Sequence, residues 1–243
     1  RWNKASALCG WVNKLSEELV DPDALCKDDD EAIKAPGHWY KLYLRLLEEE
    51  NLLDFSVIQS EALRLLEQNP DVVLAPLQAK LRYLMVDEYQ DTNTVQERLL
   101  FTLLNGDKNI CVVGDDDQGL YRFRGATIRN ILEFPDRFQP EECAVYSLNV
   151  NYRSDPGIID FYNIWMDGSL DGFSWQGEDK TSFRYPKTIV PPDGKTCFAQ
   201  PVVRVSGKAG ENDWHEEVLA FLLHMRAHKL EDWNQVAFLF RSV

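Results

Sequence analysis

Two short apolar runs, Tyr83-Leu84-Met85-Val86 and Ile110-Cys111-Val112-Val113, end abruptly against acidic or glycine-containing sequence. Continuous runs of this length predict buried parallel strands. An apolar-to-acidic switch at a strand's C-terminal end marks a ligand crevice. Elsewhere apolar positions recur at helical spacing, which predicts amphipathic helices within 39–47, 56–66 and 94–104, with Ile58, Leu65 and Leu66 facing the core. The chain up to about Leu52 reads as helical apart from an acidic loop at 28–31. Strands and helices then alternate through Leu148, including a strand at 144–148, which argues for a parallel α/β layer. Asp155-Pro156 starts a helix over 157–166. Strands at 201–205 and 236–240 flank a helix over 214–228, whereas 167–192 lacks periodicity and reads as a surface excursion. Phe173, Trp175 and Phe183 in that excursion could dock on a partner, but are expected instead to fold back onto their own domain.

Three blocks carry candidate chemistry. Asp87-Glu88-Tyr89-Gln90-Asp91-Thr92-Asn93 follows the first run. There Asp87 can hold Mg²⁺, usually through water, while Glu88 can orient and deprotonate a water that attacks a γ-phosphate. The same pair is equally suited to capping the helix that follows. After the second run comes Gly114-Asp115-Asp116-Asp117-Gln118-Gly119-Leu120-Tyr121-Arg122-Phe123-Arg124-Gly125-Ala126. Gln118 sits where an amide can donate to a γ-phosphate oxygen. Tyr121 and Phe123 interleave with Arg122 and Arg124, a composition suited to stacking on unpaired bases, or else to ordinary core packing. The third block is Asn149-Val150-Asn151-Tyr152-Arg153-Ser154. Its Arg153 is either a surface ion-pair partner or an arginine finger for a transferring phosphoryl group.

The order DEYQDTN, GDDDQGLYRFRGA, NYRS resembles motifs II, III and IV of the UvrD/Rep/PcrA-like superfamily 1A DNA helicases. Leu52-Leu53-Asp54-Phe55 is similar to the family's segment leading back into its first motor domain, and 236–242 to its strand motif IVa, so the resemblance covers about 39–243. It departs at Gly119, where serine is usual, and at Phe123, where tryptophan is frequent. The resemblance implies a RecA-like P-loop NTPase parallel sheet, present incompletely: a helical tail of accessory domain 1B at 1–52, the second half of motor domain 1A at 53–148 and the first part of motor domain 2A at 149–243. It also implies ATP and Mg²⁺ as cofactors, with Mg²⁺ on Asp87, general-base work by Glu88, γ-phosphate sensing by Gln118 and an arginine finger at Arg153. Tyr121, Phe123 and Arg124 would contact single-stranded DNA. The implied activity is 3′ to 5′ translocation and unwinding at duplex junctions, in DNA repair or replication.

The family's phosphate-cradling Gly-rich loop with its Lys-Thr has no counterpart before Asp87. Gly194-Lys195-Thr196 does not supply it, because Ile189 stands where the loop needs glycine, and a plain turn is expected there. Motifs V and VI are also missing. The chain is therefore expected to be an internal piece of a larger helicase, inactive alone and reliant on the rest of the protein. The loop-bearing strand is expected between the two strands of motifs II and III, so its absence would leave a gap at the sheet's centre.

Composition changes this picture little. The 243 residues are 44% apolar, and no run approaches the roughly 20 apolar residues of a membrane span. Five scattered cysteines without CxxC spacing argue for a reducing, cytoplasmic setting without a zinc site, although His224 and His228 stand at a metal-compatible spacing. A formal charge of −14 runs against DNA binding by a basic surface, but stacking and a few local cations suffice to grip a single strand. The alternative is a non-catalytic helicase-like domain that binds DNA or a repair partner. Intact Asp87, Glu88, Gln118 and Arg153 argue against it.

Overall fold

A computed structural model describes residues 2–119, 127–167, 175, 184–197, 202, 214–230 and 232–239, with side chains from residue 8 onward. The chain divides into two compact units, Arg1–Ser147 with Trp175–Pro186, and Leu148–Ser174 with Lys187–Val243.

The first unit opens with α1 (Trp2–Glu17), α2 (Pro22–Cys26) and α3 (Glu31–Glu49). Aspartates set the helix starts: Asp21 accepts from Asp23 N, and Asp30 from Ala32 N. A Cβ at Gly37 would lie 2.7 Å from Leu25 Cβ, so the missing side chain is what lets α3 approach α2. Helix α4 (Phe55–Gln68) is capped by Asp54, which also receives a 2.5 Å hydrogen bond from Tyr43 Oη and so ties α4 to α3. The face of α4 that enters the core carries Ser56, Val57, Leu63 and Leu66. Ile58 and Leu65, expected inside, are 47% and 52% exposed. At about 3.6 residues per turn they fall opposite Ser56 and Leu63, so the helix is rotated away from them.

A π-helical turn (Pro70–Leu74) and α5 (Ala75–Gln78) lead to β1 (Leu84–Val86). Strand β1 pairs in parallel with β2 (Ile110–Val112), Leu84 opposite Ile110 and Val86 opposite Val112. The two strands are direct hydrogen-bonded neighbours, with Val113 N donating to Val86 O at 2.8 Å. This overturns the expected central gap, since no strand can insert between paired backbones. The strands are parallel as predicted but not buried: the middle residue of each, Met85 and Cys111, is exposed and the residues flanking it are half-buried, so one face lacks a covering layer. Between them α6 (Thr94–Leu103) begins at a capping box of Asn93 and Gln96. A cluster of Tyr89, Phe134, Phe138 and Phe101 closes one side, its ring centroids 5.2–6.1 Å apart. The fully buried Tyr89 donates to Glu97 at 3.0 Å, and Arg137 neutralises that carboxylate.

Residues 144–148 are no strand. Val145, Tyr146 and Leu148 are exposed, and no neighbouring strand among the described residues supplies a ladder. After α7 (Arg129–Leu132), the described residues of the second unit include a parallel bridge, Val150 with Val190, and α8 (Pro156–Met166), capped by Asp155 with Pro156 at its first position. Asn163 fixes α8 to the returning chain by hydrogen bonds to Ile189 N and O. Helix α9 (Trp214–His228) follows, and 236–239 is irregular rather than a strand. Of the expected strand at 201–205, only residue 202 lies within the described residues. Trp175–Pro186 groups with the first unit rather than with the residues flanking it, as Arg184 and Tyr185 explain below; Phe173 and Phe183 lie outside the described residues.

Candidate functional site

Where β1 ends, Asp87 and Glu88 stand exposed. Glu88 adopts a left-handed backbone, φ 52° and ψ 45°, a conformation a side chain other than glycine takes at a cost and one that recurs at functional sites. Three bonds hold it there. Glu88 N donates to Asp87 Oδ1 at 2.9 Å, Asp91 N donates to Glu88 O at 2.9 Å, and Gln90 Nε2 donates to Glu88 Oε2 at 2.6 Å.

Gln90 is 1% exposed, and its Oε1 accepts from Asp115 N at 3.0 Å. A Cβ at Gly114 would lie 2.6 Å from that oxygen and 2.7 Å from Ile131 Cδ1, so any side chain at the turn after β2 would displace the Gln90 amide or the Ile131 tip. Asp115 then caps a 3-10 turn, Asp116–Gln118. Its carbonyl accepts from Gln118 N at 2.9 Å and its Oδ2 from Gln118 Nε2 at 2.8 Å. Glu88 and Gln118 are thus joined by a hydrogen-bonded path through Gln90 and Asp115. The Gln118 amide is exposed and parked on a carboxylate.

The two middle aspartates are engaged elsewhere. Asp117 forms a bidentate pair with Arg184, at 2.7 and 3.0 Å, with side chains 5% and 9% exposed. Asp116 accepts from Tyr185 N at 2.8 Å, and Tyr185 Oη reaches the carbonyls of Ile131 and Leu132. The Arg184 guanidinium also stands 5.9 Å from the Trp175 ring centre.

Tyr121, Phe123 and Arg124 lie outside the described residues. The chain returns beside the first block, where Thr127 N donates to Thr92 O and Asn130 Nδ2 bonds Thr92 and Asn93. Asp91 Oδ1 is shielded from solvent without a hydrogen-bond partner among the described residues. Burial, and secondarily the Glu88 charge, push the Asp91 carboxyl above the usual carboxylate range.

Arg153 belongs to the second unit and is exposed, with no ion pair among the described residues. Its loop is shaped by Asn151 Oδ1, which accepts from Arg153 N at 2.9 Å and from Ser154 N at 2.8 Å. Gly194-Lys195-Thr196 is indeed a turn, with Gly194 at φ 75°. Lys195 Nζ bonds the carbonyls of Tyr152 and Ser154 at 3.0 and 2.7 Å and so pins the arginine's loop from outside. That role, like those of Gln90 and Arg184, left no mark in the sequence motifs.

Among the described residues no three His, Cys, Asp or Glu side chains group as a metal cage. Asp87 remains as one exposed hard oxygen ligand. That fits Mg²⁺, which keeps several waters and needs only one or two carboxylates beside substrate phosphates. No helix among the described residues is long and apolar enough to cross a membrane.

Known proteins similar in sequence to this chain include DNA helicases. ATP-dependent DNA helicase PcrA of Staphylococcus epidermidis is 40% identical over 155 residues, covering 63% of this chain and 21% of that protein. ATP-dependent DNA helicase UvrD1 of Mycobacterium tuberculosis is 37% identical over 167 residues, 64% of this chain and 21% of that protein. PcrA of Staphylococcus aureus is 39% identical over 155 residues with the same shares, 63% and 21%. The chain thus spans about a fifth of the length of these relatives. Residues 1–139, more than half the chain and including both strand ends of the site, match the UvrD/REP helicase N-terminal domain, and the chain belongs to that family.

Proposed function

We propose that this chain is part of a longer ATP-dependent DNA helicase of RecA-like architecture, which couples ATP hydrolysis to 3′ to 5′ movement on single-stranded DNA and to duplex unwinding in repair or replication, in the cytoplasm. The observation that carries the reading is the path from Glu88 through Gln90 and Asp115 to Gln118, which joins the ends of two adjacent parallel strands. Strand ends of this kind are where α/β sheets bind ligands.

Each residue has a task. Asp87 holds hydrated Mg²⁺, which when bound supplies charge neutralisation on the phosphates. Glu88 orients the attacking water and takes its proton. Gln118 leaves Asp115 and turns its amide to the γ-phosphate, so that arrival of nucleotide changes the turn that leads directly into Tyr121, Phe123 and Arg124. Those three grip the strand by stacking and charge. Arg153 offsets charge that develops on the transferred phosphoryl group. The phosphate-cradling loop belongs to the remainder of the protein.

Steady-state ATPase with Mg²⁺, with and without single-stranded DNA, tests the reading. The full-length protein should turn over ATP and be stimulated by DNA, while the 243 residues alone should show no turnover. Turnover by the 243 residues that is lost in Glu88→Gln would mean a different phosphate site. DNA binding by the full-length protein without any ATPase would instead establish the non-catalytic reading.

A further inference from the structure

We propose that Gln90 is a positioning residue for hydrolysis, aiming the Glu88 carboxylate and holding it in register with the strand end that carries Gln118; this rests on the helicase reading above. Gln90 is 1% exposed, and a buried amide must find partners at both ends. Its orientation follows from chemistry. Asp115 N can only donate, so the atom facing it at 3.0 Å is the amide oxygen, and the NH₂ faces Glu88 Oε2 at 2.6 Å.

A side chain serving only as a frame tie could give its NH₂ to any nearby acceptor, whereas here the acceptor is the Glu88 carboxylate. Glu88 is exposed and water can satisfy it. The bond from Gln90 therefore does not rescue a buried carboxylate; it removes the freedom of an exposed one. The backbone reinforces this, since Glu88 is held at φ 52° by its neighbours, and a left-handed residue followed by a rigid amide leaves the carboxylate few orientations. Gly114 completes the device. A Cβ there would stand 2.6 Å from Gln90 Oε1, so the glycine that turns the chain after β2 also makes the room in which Gln90 spans the two strand ends. A displacement of about 1 Å in a reacting group can cost about 100-fold in rate, and Gln90 sets the coordinate on which that sensitivity acts.

Two variants of the full-length protein test this, by single-turnover ATP hydrolysis and by titration with a fluorescent ATP analogue. Gln90→Glu keeps the shape and the acceptor for Asp115 N but replaces the donor with a charge that repels Glu88. Gln90→Met keeps the approximate volume and loses both bonds. In each, the hydrolysis rate should fall about 10- to 100-fold, with nucleotide affinity within about threefold of the parent. A pair exchange, Glu88→Gln with Gln90→Glu, should likewise keep nucleotide affinity without restoring the rate. Folded single variants with the parent's hydrolysis rate would overturn the proposal and leave Gln90 a frame residue, as would failure of both to fold. A parent protein without DNA-stimulated turnover would overturn the helicase reading, and this proposal with it.

Discussion

Replacing Arg153 with alanine in the full-length protein should lower DNA-stimulated ATP turnover by about 10³- to 10⁵-fold, the range that arginine fingers supply to phosphoryl transfer. The competing role, a surface ion pair, finds no partner among the described residues. The loop around Arg153 is also shaped more firmly than a surface loop requires. Asn151 gathers the two backbone amides at 153 and 154, and Lys195 gathers the carbonyls at 152 and 154. The guanidinium extends from a fixed base. Arg153→Lys should recover only part of the loss, because a point charge lacks the planar fork that meets phosphate oxygens two at a time. Nucleotide titration and rapid-quench kinetics separate the effects: the rate should collapse while ATP affinity changes by less than about tenfold. Equal losses in both would place Arg153 in ground-state binding.

Glu88→Gln should reduce hydrolysis about 10²- to 10⁴-fold, the usual contribution of a positioned general base, and leave ATP binding largely intact. The substitution is nearly isosteric, and the new amide oxygen can still accept from Gln90 Nε2, so the strand-end geometry at 88–90 should survive. What disappears is the capacity to take a proton. If binding fell as severely as turnover, Glu88 would be a structural or metal-holding group, and the base would have to be sought elsewhere.

The elements legible in the sequence were those whose cause is local. Apolar runs at 83–86 and 110–113 announced β1 and β2, helical spacing announced α4 and α6, and Asp155-Pro156 announced α8, whereas the caps Asp54 and Asn93 emerged only in the structure. The run at 144–148 looked equally strand-like, but a strand needs a partner for its backbone, and apolar composition does not say whether one is present. Ile58 and Leu65 have the spacing of core residues, yet only the rotation of α4 against its neighbours decides which stripe is covered. The site divides the same way. Asp87, Glu88, Gln118 and Arg153 could be singled out because they fall in blocks whose order resembles helicase motifs. Gln90, Lys195 and Arg184 could not, since each acquires its role from a partner far along the chain: Asp115 is 25 positions from Gln90, Ser154 is 41 from Lys195, and Asp117 is 67 from Arg184.

The central claim is that one short segment reads phosphate at Gln118 and strand at Phe123. The most direct measurement is a paired titration of Gln118→Ala and Phe123→Ala in the full-length protein, by fluorescence anisotropy on single-stranded DNA and by ATPase, at one fixed salt concentration because strand affinity depends on salt. Gln118→Ala should keep most of the DNA affinity and lose stimulation of ATPase by DNA. Phe123→Ala should weaken strand binding by about 1 to 3 kcal/mol and leave basal ATPase nearly unchanged. Strand affinity untouched by Phe123→Ala, or DNA stimulation untouched by Gln118→Ala, would contradict the account.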